Sequence, residues 1–165
     1  MELDTDFCKV FCCEIPEVKK AVIPVECSMI LPDYFPDVMK ILRYTAKTVK
    51  SPVLNENGTE TVSGNCDWGT DKPDYDIIKF GGKTIFFTHG ARFGVKGDLN
   101  IAKLFARKNE ADILLFGHTH VAVTDYDDGL YIMNPGSCGR PREGLPSYGI
   151  IDITEAGIAM HTVEL

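Results

Sequence analysis

Glycine and histidine are distributed very unevenly along this chain, and the break near position 64 limits how the chain can fold. Residues 1–63 contain one glycine, Gly58, and no histidine, whereas residues 64–165 contain fourteen glycines and all four histidines. An average globular chain has about 7% glycine, so roughly four are expected in the first stretch. We interpret the break as a boundary between two segments of different origin, 1–63 and 64–165. The alternative is an uneven distribution of loops within one domain.

The composition is that of a globular chain and argues against several classes of partner. The 165 residues include 24 acidic and 17 basic side chains, which gives a formal net charge of −7. No run of lysine or arginine offers a footprint for nucleic acid or an anionic membrane. The first residues are acidic where a secretory signal is basic, and no window reaches the roughly 20 apolar residues of a spanning helix. We therefore expect a cytoplasmic protein with no membrane or nucleic-acid partner, and six cysteine thiols.

The second segment has the pattern of a strand-rich α+β domain. Two apolar runs flank Gly81-Gly82, a pair that supplies the positive φ angles of a hairpin turn. A helix is predicted from an N-cap at Asp98 to about position 109, and its apolar face carries Ile101, Leu104 and Phe105. Strands are predicted at 75–80, 83–88, 113–116, 122–126, 130–133, 148–153 and 158–163.

The first segment is harder to assign, although it also has strand-like content. Residues 10–11 and 21–29 are apolar and β-branched, and Pro16 and Pro24 interrupt the pattern. Turns are predicted at 31–37 and 55–58, since proline and Asn-Gly favour them. Residues 38–50 fit a helix or an extended strand equally well, and periodicity does not separate the two.

Candidate metal ligands occur in glycine-flanked turns, two of them at the ends of predicted strands. The motifs are Gly64-Asn65-Cys66-Asp67, Thr88-His89-Gly90 and Gly117-His118-Thr119-His120. Glycine lets the backbone turn sharply, so these side chains can meet in one cleft. Imidazole nitrogens and amide oxygens suit Mn, Fe, Zn, Ni or Co. Metal binding is favoured over a purely structural role for the histidines in these motifs, whereas His161 is expected to be a buried structural residue.

These motifs resemble those of the calcineurin-like metallophosphoesterase superfamily, in particular its small single-domain phosphodiesterases from bacteria and archaea. The resemblance covers residues 64–165 and includes Asn134-Pro-Gly-Ser and Arg140-Pro-Arg. It implies the C-terminal half of an αββα sandwich, preceded here by a strand-rich segment of different origin. Such enzymes hydrolyse phosphoesters with water activated by two metal ions.

The resemblance also implies roles for individual residues and a small phosphoester as substrate. One metal ion would be bound by Asn65, His89 and His118, and a second by His120. Arg140 and Arg142 would approach the phosphate of the substrate. Many relatives have a histidine where this chain has Cys66, so the role of that histidine is not filled in the same way.

Two metal-binding motifs that the family has in its N-terminal half are absent from this chain. No histidine precedes His89, which excludes the Asp-x-His motif, and Gly58 is followed by threonine, which excludes Gly-Asp-x-x-Asp. Asp33 and Asp37 lie in proline-bounded turns and are poor substitutes for a bridging carboxylate. We therefore expect one bound divalent ion or none, and we assign no residue as catalytic.

Residues from about 14 to 63 resemble, over Ile30–Val38 and Ile41-Leu42-Arg43, a sporulation-associated domain of spore-coat assembly proteins. That resemblance implies protein interaction and a domain cut short at the boundary. Two functions follow for the chain. It is a metal-dependent phosphodiesterase, or it is a catalytically impaired fusion that acts as an interaction protein related to sporulation. If the first segment leaves strand edges uncovered, self-association is also expected.

Overall fold

A computed structural model describes residues 8–15, 18–23, 60–66, 69 and 71–165. Within these residues the chain forms a mixed α/β fold with one α-helix and one 3₁₀ turn. The strands are β1 (Cys8–Ile15), β2 (Val18–Ile23), β3 (Glu60–Val62), β4 (Tyr75–Phe80), β5 (Lys83–Thr88), β6 (Ile113–Phe116), β7 (Ala122–Asp127), β8 (Leu130–Pro135), β9 (Ser147–Thr154) and β10 (Gly157–Glu164); the helix is α1 (Asn100–Lys108) and the 3₁₀ turn is Ala91–Phe93. The predictions for 31–37, 38–50 and 55–58 lie outside the described residues.

The strands form two five-stranded sheets. One sheet has the order β10-β9-β2-β1-β3 and is antiparallel throughout. The other has the order β4-β5-β6-β8-β7, in which β5, β6 and β8 are parallel and the outer strands are antiparallel. The carboxyl ends of β5, β6 and β8 therefore lie at one edge of the second sheet.

The predicted hairpin around Gly81-Gly82 is confirmed. Strands β4 and β5 pair from Tyr75 with Thr88 to Phe80 with Lys83, around the glycine pair. The proline positions also explain where the first strands end. Strand β1 ends immediately before Pro16 and β2 immediately before Pro24, because proline has no backbone N–H to donate to a sheet.

The first sheet contains strands from both sides of the predicted boundary at 64. Strand β2 pairs with β9, from Lys19 opposite Ile153 to Ile23 opposite Gly149. Val62, at the end of β3, is completely buried in a cluster that includes residues of the second segment. The early strands thus cover an edge of β9. The division of the chain into two segments of different origin stays a prediction.

Alternating side chains of β5 and β6 are buried on opposite faces of the second sheet. Two clusters result, one that joins the two sheets and one beneath the helix. Because both faces are covered, these strands are continuously apolar rather than alternating. The cluster between the sheets contains Val62, Phe80, Ile85, Phe87, Ile113, Leu115, Met133, Ile151 and Ile153, and the cluster under the helix contains Phe86, Phe93, Val95, Ala102, Ala106, Leu114, Phe116, Leu130 and Ile132.

Most of the predicted apolar face of the helix lies at the surface. The buried residues of α1 are Ala102 and Ala106, while Ile101, Leu104 and Phe105 are 51%, 64% and 36% exposed. The helix turns its two alanines towards the sheet, where only small side chains allow a close approach. Ile101 and Leu104 consequently lie at the surface, whereas the ring of Phe105 packs edge-on against Phe93, with 5.2 Å between the ring centroids.

The two ends of α1 are held by aspartates. Asp98 is not the N-cap, which is Leu99, but its Oδ1 accepts a hydrogen bond from the backbone N–H of Asn100 at 2.8 Å. Near the other end, Lys103 and Arg107 each form an ion pair of 3.0 Å with Asp127. These bonds attach the helix to the turn between β7 and β8.

Three further expectations can be compared with the described residues. His161 is exposed on β10, so the prediction that it is buried is wrong; the edge strand β10 leaves that side chain at the surface. Cys66 and Cys138 carry thiols, as predicted. No helix in the described part of the chain is long and apolar enough to cross a lipid bilayer.

Candidate metal centre

The parallel strands bring the predicted ligands to one edge of the second sheet. His89 directly follows β5, His118 follows β6 after one glycine, and Asn134 lies at the end of β8. Ligand sites of α/β sheets commonly form outside the carboxyl ends of parallel strands. Asn65 reaches the same place from the other sheet, three residues beyond β3. The site thus lies where edges of both sheets meet.

Three of the four predicted ligands are in direct contact. The Nε2 atom of His89 lies 2.9 Å from Oδ1 of Asn65 and 3.0 Å from Nδ1 of His118. The two imidazole rings are 4.8 Å apart between centroids, at an angle of 66°. His89 is buried, with 2% of its surface exposed. The sequence prediction that these side chains converge is therefore supported by their geometry.

A cation satisfies this arrangement better than one hydrogen bond does. Neutral His89 has at most one proton on Nε2, which it can share with Asn65 or with His118 but not fully with both. Two ligands at right angles in octahedral coordination, each about 2.1 Å from the ion, lie about 3.0 Å from one another. The observed separations of 2.9 and 3.0 Å match that spacing. Both contacts of His89 are therefore compatible with donors that share one divalent ion in octahedral geometry.

Local hydrogen bonds orient Asn65 and His89. The Asn65 amide Nδ2 donates to Sγ of Cys66 at 3.2 Å, which leaves Oδ1 to face His89. Thr88 Oγ1 donates to the backbone oxygen of Asp74 at 2.7 Å and accepts from the N–H of Gly90 at 3.1 Å. The bond to Cys66 thus helps to set which amide atom of Asn65 faces His89.

Gly90 is required by the backbone that follows His89. Its φ is +103°, and a Cβ atom at this position would lie 2.7 Å from a methyl group of Val95. Any other residue here would shift the turn that carries His89.

His118 and His120 both have left-handed backbone conformations, with φ angles of 67° and 60°. Non-glycine residues in this region are strained and occur preferentially at functional sites. Asn134 bonds to the same turn: its Nδ2 donates to the oxygen of Gly117 at 3.1 Å and to Oγ1 of Thr119 at 2.9 Å. The sequence motif that contains Asn134 does not by itself predict this contact with the histidine turn.

The ring of His120 is held through its Nδ1 atom, and no described hydrogen bond joins the ring to the other three predicted ligands. Its Nδ1 donates to the backbone oxygen of Arg140 at 2.7 Å, so Nε2 has the lone pair. Metal-binding histidines typically donate their second nitrogen to a carbonyl in this way. The backbone N–H of Arg142 in turn donates to the oxygen of His120 at 3.1 Å.

A cleft of about 510 Å³ adjoins the metal donors, and its lining includes Asn65 and His89. Its basic side chains are Lys72 and Arg92, which were not predicted as site residues. Arg92 forms an ion pair of 2.9 Å with Asp74, which also lines the cleft. Lys72 lies in a polar stretch and Arg92 lies two residues after the Thr88-His89-Gly90 motif, and neither position has a pattern that predicts a cleft residue.

Arg140 and Arg142 are exposed in the loop after β8. Their described hydrogen bonds run through the backbone to Ser137 and His120. Their predicted role in binding the phosphate stays a prediction.

Carboxylates do not complete the site within the part of the chain that the structure describes. No group of three or more His, Cys, Asp or Glu side chains is arranged there to hold a metal ion. The weak substitutes Asp33 and Asp37 lie outside the described residues. The neutral set of one amide and two imidazoles is therefore the candidate centre, with His120 as a further donor.

Comparison with known proteins identifies the family. Residues 37–156 match a family model described as the calcineurin-like phosphoesterase superfamily domain, which is well over half of the chain. The chain belongs to this superfamily. The match begins inside the segment that resembles a sporulation-associated domain, and the comparisons do not support that second resemblance. The superfamily is metal-dependent, in keeping with the donors at the sheet edge.

Individual relatives agree with this family. The probable metallophosphoesterase YsnB of Bacillus subtilis is 36% identical over 93 residues, which cover 56% of this chain and 55% of YsnB. The phosphodiesterase YfcE of Escherichia coli is 33% identical over 110 residues, which cover 60% of this chain and 56% of YfcE. A crystal structure of a predicted phosphoesterase from Streptococcus pneumoniae superposes with a TM-score of 0.59 at 27% identity, over 62% of this chain and 60% of that one. The chain thus spans a little over half the length of the curated relatives that it matches.

Proposed function

We propose that the chain binds a divalent transition-metal ion through Asn65, His89 and His118 and hydrolyses small phosphodiesters. The observation that carries this proposal is the convergence of three donor atoms, 2.9 and 3.0 Å apart, beside an open cleft. The names of YsnB and YfcE support the reaction class. Mn, Ni, Zn, Fe and Co all suit the donor set.

The residues of the chain would bind and orient the substrate. A bound ion would polarise the phosphoryl group and make water more acidic. Arg92 and Lys72 place positive charge in the cleft, where it offsets the charge of a phosphodiester. Asp74 holds the Arg92 guanidinium at 2.9 Å, and a phosphate oxygen can replace this carboxylate because exposed ion pairs are weak.

Because the family's carboxylate motifs are missing, we expect weak binding of the metal ion and slow turnover. The three contacting donors are neutral, so they provide no net negative charge to hold a divalent cation. His120 would add a fourth neutral donor. We therefore propose one bound ion, and slower turnover than a centre with two ions would reach.

Hydrolysis of bis-p-nitrophenyl phosphate tests the proposal. Wild-type protein is expected to release p-nitrophenol faster when Mn²⁺ is added. In His89→Ala the Mn²⁺-stimulated rate is expected to be at least about tenfold lower, because Nε2 of His89 contacts both other donors. His161→Ala is the matched control, since His161 is an exposed histidine on β10. Purified wild-type protein without Mn²⁺-stimulated turnover would refute the proposed activity.

A second candidate is a chain that binds an ion without turnover and acts through protein interaction. The specific observation in its favour is the absence of the Asp-x-His and Gly-Asp-x-x-Asp motifs from the sequence. Its proposed link to sporulation rests on residues that lie mostly outside the described part of the chain. One bound equivalent of metal by elemental analysis together with no hydrolysis supports this candidate.

We place either function in the cytoplasm. Cys66 and Cys138 carry thiols, and a reducing compartment keeps thiols from oxidation. Microscopy of a fluorescent fusion of the full chain tests the location.

A further inference from the structure

We propose that Asn134 is the positioning residue that holds His118 in its metal-binding orientation, so that the ligand geometry is formed before an ion binds. This inference rests on the proposed metal centre, because it concerns how one of its ligands is held. Asn134 lies at the end of β8 and was assigned no role by its motif.

The side-chain amide of Asn134 is buried, and both its nitrogen and its oxygen form hydrogen bonds. None of its surface is exposed, which is unusual for asparagine. Its Nδ2 donates two hydrogen bonds, to the Gly117 oxygen at 3.1 Å and to Thr119 Oγ1 at 2.9 Å. Its Oδ1 accepts a third bond from the N–H of Gly136 at 3.0 Å. Such a satisfied polar network fixes one local geometry.

The two bonds from Nδ2 lie on either side of His118. One acceptor belongs to the residue before it and the other to the residue after it. Between them, His118 has a φ of 67°, a strained conformation that persists only where its surroundings impose it. The amide of Asn134 thereby holds the strained turn from both sides.

The orientation imposed on His118 is the one that forms the candidate centre. In this conformation its Nδ1 lies 3.0 Å from Nε2 of His89. Without the two bonds from Asn134, His118 can relax towards an ordinary backbone conformation, and its ring then leaves the other donors. Thr119 adds a second attachment, because its Oγ1 accepts from Asn134 and from the N–H of Val121 at 3.3 Å.

Titration with Co²⁺ by calorimetry tests this role in the full chain. Asn134→Ala is expected to weaken Co²⁺ binding by roughly 10- to 100-fold, the usual effect of removing a residue that orients a metal ligand. Thr119→Val removes one acceptor only and is expected to give a smaller loss. Asn109→Ala is the matched control, since Asn109 also donates a side-chain bond, to the Phe105 oxygen at 2.8 Å, but lies at the end of α1.

An NMR measurement without metal separates this inference from the proposed function. The ring protons of His89 and His118 should show a nuclear Overhauser effect in wild type and in Asn109→Ala, because the ring centroids are 4.8 Å apart. The effect should be lost in Asn134→Ala, or reduced in Thr119→Val if Asn134→Ala does not fold. If wild type binds no Co²⁺, the proposed metal centre fails, and the ring contact alone decides the role of Asn134. Wild-type Co²⁺ affinity or an unchanged ring contact in folded Asn134→Ala would overturn the inference.

Discussion

Replacing Val62 by alanine tests whether the first segment of the chain shares a core with the second. Val62 ends β3, pairs with Cys8 and has no exposed surface. It belongs to the same buried cluster as Ile151 and Ile153 of β9. If the two segments form one folded unit, a cavity at this position must destabilise the whole sheet sandwich.

The expected loss follows from the atoms removed. Val62→Ala deletes two methyl groups, and transfer of each from the interior to water accounts for about 0.8 kcal/mol. A residual cavity of roughly 40 Å³ adds about 1 kcal/mol. We therefore expect the free energy of unfolding to fall by about 2–3 kcal/mol. For a chain of this size that corresponds to a decrease in Tm of about 4–12 °C.

Urea unfolding followed by far-UV circular dichroism measures the change. Wild type and Val62→Ala should each unfold in one cooperative transition with similar m-values. Val123→Ala on β7 is the matched control, because that valine is only half-buried, and its loss should stay below about 1 kcal/mol. A loss below about 0.5 kcal/mol for Val62→Ala, or a main transition that does not move, would show that the segments do not share this core.

Two further predictions concern charged side chains. A hydrogen bond from Lys103, and to a smaller extent one from Arg107, holds the pKa of Asp127 below its usual range. This stabilisation is present above the unfolded-state pKa of about 4 and is lost as pH falls through the lower folded-state value. Asp127→Asn should therefore have a lower Tm than wild type at neutral pH and a difference that shrinks in acid; a constant difference from pH 7 to pH 2 would contradict the assignment. In the cleft, Arg92→Ala should raise KM for bis-p-nitrophenyl phosphate severalfold with little change in kcat, whereas a larger rise for Arg142→Ala would favour the loop after β8 as the phosphate-binding element.

Strong local signals made much of the second segment predictable from sequence. The glycine pair at 81–82 predicts a hairpin, and the predicted strands agree with the structure residue by residue. The continuous apolar run at 113–116 is a parallel strand buried on both faces. Glycine-flanked histidines at strand ends indicated the centre, because the ends of adjacent parallel strands meet at one edge.

Other features depended on tertiary contacts that no local pattern encodes. The apolar periodicity of α1 places Ile101, Leu104 and Phe105 on one face, but it does not reveal that the buried residues are Ala102 and Ala106. Arg92 enters the cleft through a turn, and its position depends on where that turn lies relative to Asn65. The bonds of Asn134 cross 17 and 15 positions of sequence, so periodicity could not reveal them.

The pairing of β2 with β9 has a consequence for synthesis of the protein. Lys19 lies opposite Ile153, so the two partners are separated by 153 − 19 = 134 positions. On the ribosome, the β1–β2 hairpin is made well before β9, its neighbour in the sheet, emerges. Pairing over so long a stretch of sequence slows folding, and until β9 is made the unpaired edge of β2 can associate with other chains. Yield from living cells should therefore improve when a chaperone shields β1 and β2 until β9 has been made.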